Sequence, residues 1–177
     1  DEELGDKNGM AADLGNIGNI YYSQANYPKA LDYYFKSLKI AEELGDKNTI
    51  ANTLSNIGAL YIDTKKYTEA AKCLLAALDL NKEMGAIDGE RDNESNLSEL
   101  YGKTARYQLA LEHYKKAMAL KDTIFNEEKN KELTRKEMNY EFDKKEASTK
   151  AEQDKKDAIT RIVIYSVSAG FLLVLLL

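Results

Sequence analysis

The chain has one cysteine, one proline, one histidine and no tryptophan in 177 residues. A lone cysteine excludes an internal disulfide framework and says little about redox compartment. Cys73 and His113 are also poor material for metal binding or nucleophilic catalysis. They stand 40 residues apart, and Tyr33 precedes Cys73 by the same interval, so one position accepts three chemistries as a tolerant structural slot would. An excess of positive charge is missing too: the net charge is −5, which makes nucleic acid an unfavourable partner. No glycine-rich phosphate cradle is present. Gly15-Asn16-Ile17-Gly18 resembles one only superficially, because it lies inside a helical stretch with no strand before it. No cofactor and no catalytic site are expected in this chain, and an enzymatic activity would need a further domain.

What the chain does have is a period. Leu14, Ile17, Gly18, Tyr21, Tyr27, Ala30, Tyr34 and Ser37 recur 40 residues later as Leu54, Ile57, Gly58, Tyr61, Tyr67, Ala70, Leu74 and Ala77. The third copy reads Glu94, Leu97, Ser98, Tyr101, Tyr107, Ala110, Tyr114 and Ala117, keeping the aromatic and small slots but losing the first leucine and the glycine. In each copy apolar residues fall twice at helical spacing, so each is a helical hairpin. The breaks are expected near residues 23–26, 63–66 and 103–106. Pro28 stands where the first turn of a helix tolerates a missing N–H. Gly18 and Ala30 are small where helix backbones must approach, and Tyr21 and Tyr34 fill the space beside them. One hairpin cannot bury its own apolar face, so neighbours must stack. The fold class is all-α.

The order of these slots resembles the tetratricopeptide repeat over residues 8 to about 125, in a form lengthened from the usual period of about 34 residues. The extra residues lie in Ile40-Ala41-Glu42-Glu43-Leu44-Gly45-Asp46-Lys47. HEAT-type repeats have comparable periods but lack this arrangement of slots. The resemblance implies an α-α superhelix, right-handed, with repeats over 8–47, 48–87 and 88–125. Residues 1–7 match the end of a repeat, Glu2-Glu3-Leu4-Gly5-Asp6-Lys7 against Glu42-Glu43-Leu44-Gly45-Asp46-Lys47, so an earlier repeat is expected before them.

The resemblance also implies a function. In tetratricopeptide arrays the first helix of each repeat lines a concave groove in which a protein or peptide ligand lies. Asn16, Asn56 and Asn96 share one slot there, and such a ladder is similar to those whose carboxamides bond a ligand's backbone, a task suited to a group that both donates and accepts. Asn19, Tyr22, Asn52, Ser55, Asp63, Asp92, Ser95, Glu99 and Lys103 are expected on the same face, supplying side-chain selectivity. Asp92 and Asn96 stand where a carboxylate clamp would need basic residues, which disfavours a receptor for chaperone tails.

Residues 126–158 carry no Gly or Pro and read as a charged stalk or capping helix. Up to residue 161 the acids and bases balance, and five pairs, Glu127/Lys131, Glu132/Lys136, Glu141/Lys145, Glu146/Lys150 and Glu152/Lys156, put the acid four residues before the base, the helix-favouring order. A seam through Leu133, Tyr140, Ala147, Ala151 and Ala158 is interrupted by Glu137, Lys144 and Asp154, which makes a weak coiled coil at best, the contact for a homodimer through the stalk. Alternatively Leu133, Met138 and Phe142 fold back to cap the last repeat. Residues 162–177 form an apolar run, short of the roughly 20 residues a membrane span needs. Residues 159–177 are expected to enter the lipid bilayer as a truncated transmembrane helix.

Array, stalk and span in this order resemble the sensor region of bacterial membrane-bound signalling proteins of the histidine kinase or phosphatase type. The expectation is a peptide-binding sensor or interaction region of a single-pass membrane protein, the array extracytoplasmic. The alternative is a membrane-anchored cytosolic adaptor, and the lysines that precede the span favour that side by the positive-inside rule.

Overall fold

The structure, a computed structural model, describes the backbone of residues 2–175 and the side chains of residue 7 and residues 9–161. It holds six helices: α1 (Glu2–Ser23), α2 (Tyr27–Leu44), α3 (Lys47–Asp63), α4 (Tyr67–Met84), α5 (Ile87–Lys103) and α6 (Tyr107–Leu175). No strand occurs among the described residues. The chain divides into two units, Asp1–Asn126 and Glu127–Leu177.

Local chemistry sets the helix ends in the first unit. Pro28 occupies the first turn of α2, and Asn26 before it accepts from the Lys29 amide at 3.4 Å. Gly45 and Gly85 end α2 and α4 at φ 68° and 65°, the left-handed geometry that closes a helix with no Cβ in the way. The turns within the hairpins make the same left-handed bend without glycine. Ala25, Lys65 and Ala105 have φ of 54°, 60° and 58°. In each turn the next amide returns to a carbonyl five residues back, Asn26 to Tyr21 at 2.9 Å, Lys66 to Tyr61 and Arg106 to Tyr101 at 2.8 Å. These bonds offset the cost of φ > 0 in residues with a Cβ.

The hairpins close where the small slots require it. A Cβ on Gly18 would lie 2.5 Å from the Tyr34 ring, and one on Gly58 2.6 Å from Leu74. Ser98, which replaces this glycine in the third copy, donates its hydroxyl to the Ala110 carbonyl at 2.9 Å and so holds α5 close to α6. Two clusters form the core, one of Ala30, Tyr34, Ile57 and Leu60, the other of Ile62, Ala70, Leu74, Leu78, Leu97 and Leu100. Burial there is worth about 25 cal/mol per Å² of apolar surface. Tyr21, expected as filler like Tyr34, is instead half-buried and stacks on Tyr33 at 5.3 Å.

The first helices touch one another, α1 to α3 and α3 to α5, while α2 and α4 do not. Helices that meet on one side of a stack and part on the other give it an inner and an outer face. The first helices line the inner one.

In the second unit the described side chains stand in solvent. Glu132/Lys136 and Glu152/Lys156 form ion pairs at 2.7 and 3.6 Å, whereas the other three expected pairs do not close to that range. Exposed pairs of this kind contribute little, so their partial formation is unsurprising. Leu133, Met138, Tyr140 and Phe142 are all exposed. Among the described residues no helix is long and apolar enough to cross a membrane. The span expected over 159–177 falls almost wholly on side chains outside the described residues.

Candidate functional site

The inner face holds a cavity of about 520 Å³ between α1, α3 and α5. Its lining follows the 40-residue period. Slots 12/52/92, 15/55/95 and 16/56/96 each contribute all three of their members, and Asn19, Thr49, Thr53, Gly89 and Ser37 complete the wall. Eight of the twelve expected groove residues meet here: Asn16, Asn19, Asn52, Ser55, Asn56, Asp92, Ser95 and Asn96.

These residues differ in how occupied they are. Asn19 accepts from the Tyr34 hydroxyl at 2.7 Å and so serves the core, where burial also pushes the Tyr34 phenol up to about 12. Asn52 donates to Asn48 at 3.1 Å. The Ser55 hydroxyl lies 2.9 Å from both Asn93 Oδ1 and the Ala51 carbonyl and can donate to one at a time. Asp92 accepts from Arg91 at 2.9 and 3.0 Å. The carboxamides of Asn16, Asn56 and Asn96 make no hydrogen bond among the described residues. Each therefore offers a free donor and acceptor to the cavity.

Tyr22, Asp63, Glu99 and Lys103 are not in the cavity. They sit at the C-terminal ends of α1, α3 and α5. The Tyr22 hydroxyl donates to Asp63 Oδ2 at 2.6 Å across the first two repeats, and burial followed by that bond raises its pKa. Lys103 pairs with Glu99 at 3.0 Å, and its ammonium is held charged by Glu99 first and by Asp63 to a lesser degree. The four make a charged line beside the cavity rather than part of its wall.

Ala12, Gly15, Ser37, Thr49, Thr53 and Gly89 line the cavity without having been expected there. Ala12 and Gly15 share slots with Asn52 and Ser55, so the period pointed to them, but they carry no polar group and act by leaving room. Ser37 is buried, donating to the Ala11 carbonyl at 2.7 Å with Thr53 Oγ1 3.2 Å away.

His113 requires a correction. Its slot looks tolerant because Tyr33, Cys73 and His113 share it, yet the third copy is coupled. Glu94, in the slot of Leu14 and Leu54, is 2 % exposed and bonds His113 Nδ1 at 2.5 Å, with Lys82 4.0 Å away. The imidazole stacks on Tyr101 at 5.1 Å. The two departures from the repeat pattern thus meet as one polar pair. Cys73 has no such partner, and burial pushes its thiol up, which disfavours the reactive thiolate. Among the described residues no three His, Cys, Asp or Glu side chains gather as metal ligands would.

Two family models, both described as tetratricopeptide repeat, match residues 11–44 and 49–123. The array is built of tetratricopeptide repeats. No curated protein matches the chain. Tetratricopeptide repeats are non-catalytic scaffold units that generally bind protein or peptide partners, and the cavity lies on the first helices, the inner side of this array.

Proposed function

We propose that the tetratricopeptide array binds an extended peptide segment along its inner face, with Asn16, Asn56 and Asn96 bonding the ligand's backbone. One observation carries this: three carboxamides in one repeat slot, all opening into one cavity and none bonded among the described residues. Asp92 and the hydroxyls around it give the cavity no fixed cation for a terminal carboxylate, so an internal segment suits it better than a chain end. Changing all three asparagines to Ala removes neutral hydrogen bonds worth about 0.5–1.5 kcal/mol each. Binding to a peptide array should fall about 10- to 1,000-fold, by similar factors for unrelated sequences, with helicity by circular dichroism unchanged. Equal binding by variant and wild type would end the proposal.

The wider role we propose is that of the sensor or interaction region of a single-pass membrane signalling protein, the repeat array extracytoplasmic and the stalk a weak dimer contact. The apolar run over residues 162–177, continuing a charged helical segment, supports it. The basic residues Lys144, Lys145, Lys150, Lys155, Lys156 and Arg161 before that run support a cytosolic, membrane-anchored adaptor as the second reading. Deleting residues 159–177 should release the protein from carbonate-washed membranes, and equal partitioning of both forms would refute either version.

A further inference from the structure

A second pocket, of about 380 Å³, opens where the first half of α4 meets the end of α5, and it shares no lining residue with the inner cavity. It belongs to the junction of the second and third repeats. Ala71, Leu75 and Leu100 give it an apolar floor, and Tyr67 and Tyr101 stand as its aromatic walls. Lys72 and Arg106 are the charged residues of its lining, the Arg106 guanidinium lying 5.9 Å from the centre of the Tyr101 ring. Neither cation pairs with a carboxylate among the described residues, although the chain has 30 acids against 25 bases.

The junction of the first and second repeats shows what has changed. Its equivalent slots keep two tyrosines, Tyr27 and Tyr61, and a cation over the second of them, Lys66 at 5.5 Å. They differ in holding Leu31 where Ala71 stands, Phe35 where Leu75 stands and Asp32 where Lys72 stands. Asp32 is paired with Lys36 at 2.6 Å, and the slot of Lys36 is filled by Ala76 at the second junction, so Lys72 is not half of a reversed ion pair. Two side chains lose volume and one reverses its charge around the same pocket. Lost volume alone leaves a defect that weakens packing. Lost volume with an added, unpaired cation is complementary to an apolar body that bears a negative charge. We propose that this pocket binds a small organic acid, its flat apolar body between Tyr67 and Tyr101 and its carboxylate on Lys72 and Arg106. The volume lies within the roughly 300–1,000 Å³ of small-molecule sites, which pair apolar and aromatic walls with a few polar groups. The guanidinium fork can take both carboxylate oxygens, and such charge-assisted bonds are about twice as strong as neutral ones. The proposal is independent of peptide binding in the inner cavity.

Methyl chemical-shift titration of the full chain in detergent, labelled at alanine and leucine, tests this with phenylacetate and its neutral amide, phenylacetamide. The Leu75 and Leu100 methyls report the site directly. They should move and saturate with phenylacetate, and phenylacetamide should need about tenfold or more ligand for the same shift, because it lacks the charge. Two variants import the residues of the first junction, which that junction shows to be compatible with the fold, and circular dichroism checks their helicity. Lys72→Asp should weaken phenylacetate about tenfold or more while leaving phenylacetamide within about twofold of wild type. Ala71→Leu fills the floor and should weaken both ligands. Equal affinity for acid and amide, or either variant binding phenylacetate like wild type, would overturn the assignment. Methyls that ignore phenylacetate but move with a peptide bearing an acidic residue beside a phenylalanine would also overturn it and give the pocket to a protein partner. Methyls that ignore both would overturn it as a binding site altogether.

Discussion

The first and third repeats carry the same Tyr-Leu-Tyr stripe on their second helices, yet Tyr34 is sealed in the core and Tyr114 stands in solvent. The residue is identical, so its environment is set by the next helix in the stack and not by its own slot. The two repeats differ again where Leu14 and Tyr33 give way to Glu94 and His113: there the acid is buried where Leu14 is only half-buried, and the chemistry has changed. Position in a solenoid therefore fixes which face a residue belongs to. Neighbours fix what that residue is worth.

The sharpest test sets the two tyrosines against each other. Tyr34→Ala opens a cavity beside Gly18 and strands the Asn19 carbonyl, and should cost about 3–5 kcal/mol in urea unfolding. Tyr114→Ala, measured at a concentration where the chain is monomeric, should stay within about 0.5 kcal/mol of wild type. Equal losses would mean that the stripe of α6 is covered within a single chain, and the comparison would collapse.

Next in size is the polar pair. His113→Ala leaves the Glu94 carboxylate buried, with Lys82 at 4.0 Å as a distant and mostly exposed partner, and should cost about 3 kcal/mol. The double change Glu94→Leu with His113→Tyr restores the residues of the first repeat. It should return stability to the wild-type value or above it, since replacing both partners of a buried hydrogen bond by well-packed apolar groups is often neutral or stabilising. If the double variant is no more stable than His113→Ala, the two slots are not coupled.

The helical hairpins and their breaks were legible because small and aromatic residues recur at fixed intervals, and because Pro28 marks a helix start by backbone chemistry alone. The left-handed bends at Ala25, Lys65 and Ala105 were not, because no glycine marks them and their hydrogen bonds appear only once the hairpin is closed. The Asn16/Asn56/Asn96 ladder was visible as a repeated polar slot on a helix otherwise facing inward. That Tyr22 and Asp63 would bond each other, and that Glu99 would pair with Lys103, depends on where helix ends meet, which periodicity does not encode. The Glu94–His113 exchange was half visible: both departures from the pattern could be seen, but 19 residues of sequence hide that they touch.

The smallest expected difference lies at the starts of α3 and α5, whose capping slots hold Asp46 and Ala86. Asp46 accepts from the amides of Asn48 and Thr49 at 3.1 and 3.2 Å and from the Thr49 hydroxyl, and those bonds, the hydroxyl's first, hold its carboxyl below the ordinary 3.8. Ala86 has no side-chain cap. Asp46→Ala should therefore cost about 1 kcal/mol at neutral pH. Because the folded pKa is depressed, that contribution is fully present above the unfolded value and disappears as pH falls through the folded one, so wild type and variant should converge in acid melts below pH 3.8. The reverse change, Ala86→Asp, should add a cap but gain only about 0.5 kcal/mol. Asp88 and Glu90 already occupy the first turn of α5, and a third carboxylate there meets their repulsion as well as the helix dipole's attraction. A gain as large as the Asp46 loss would show that this repulsion is negligible, and a net loss would show that the cap geometry of α3 does not transfer to the third repeat.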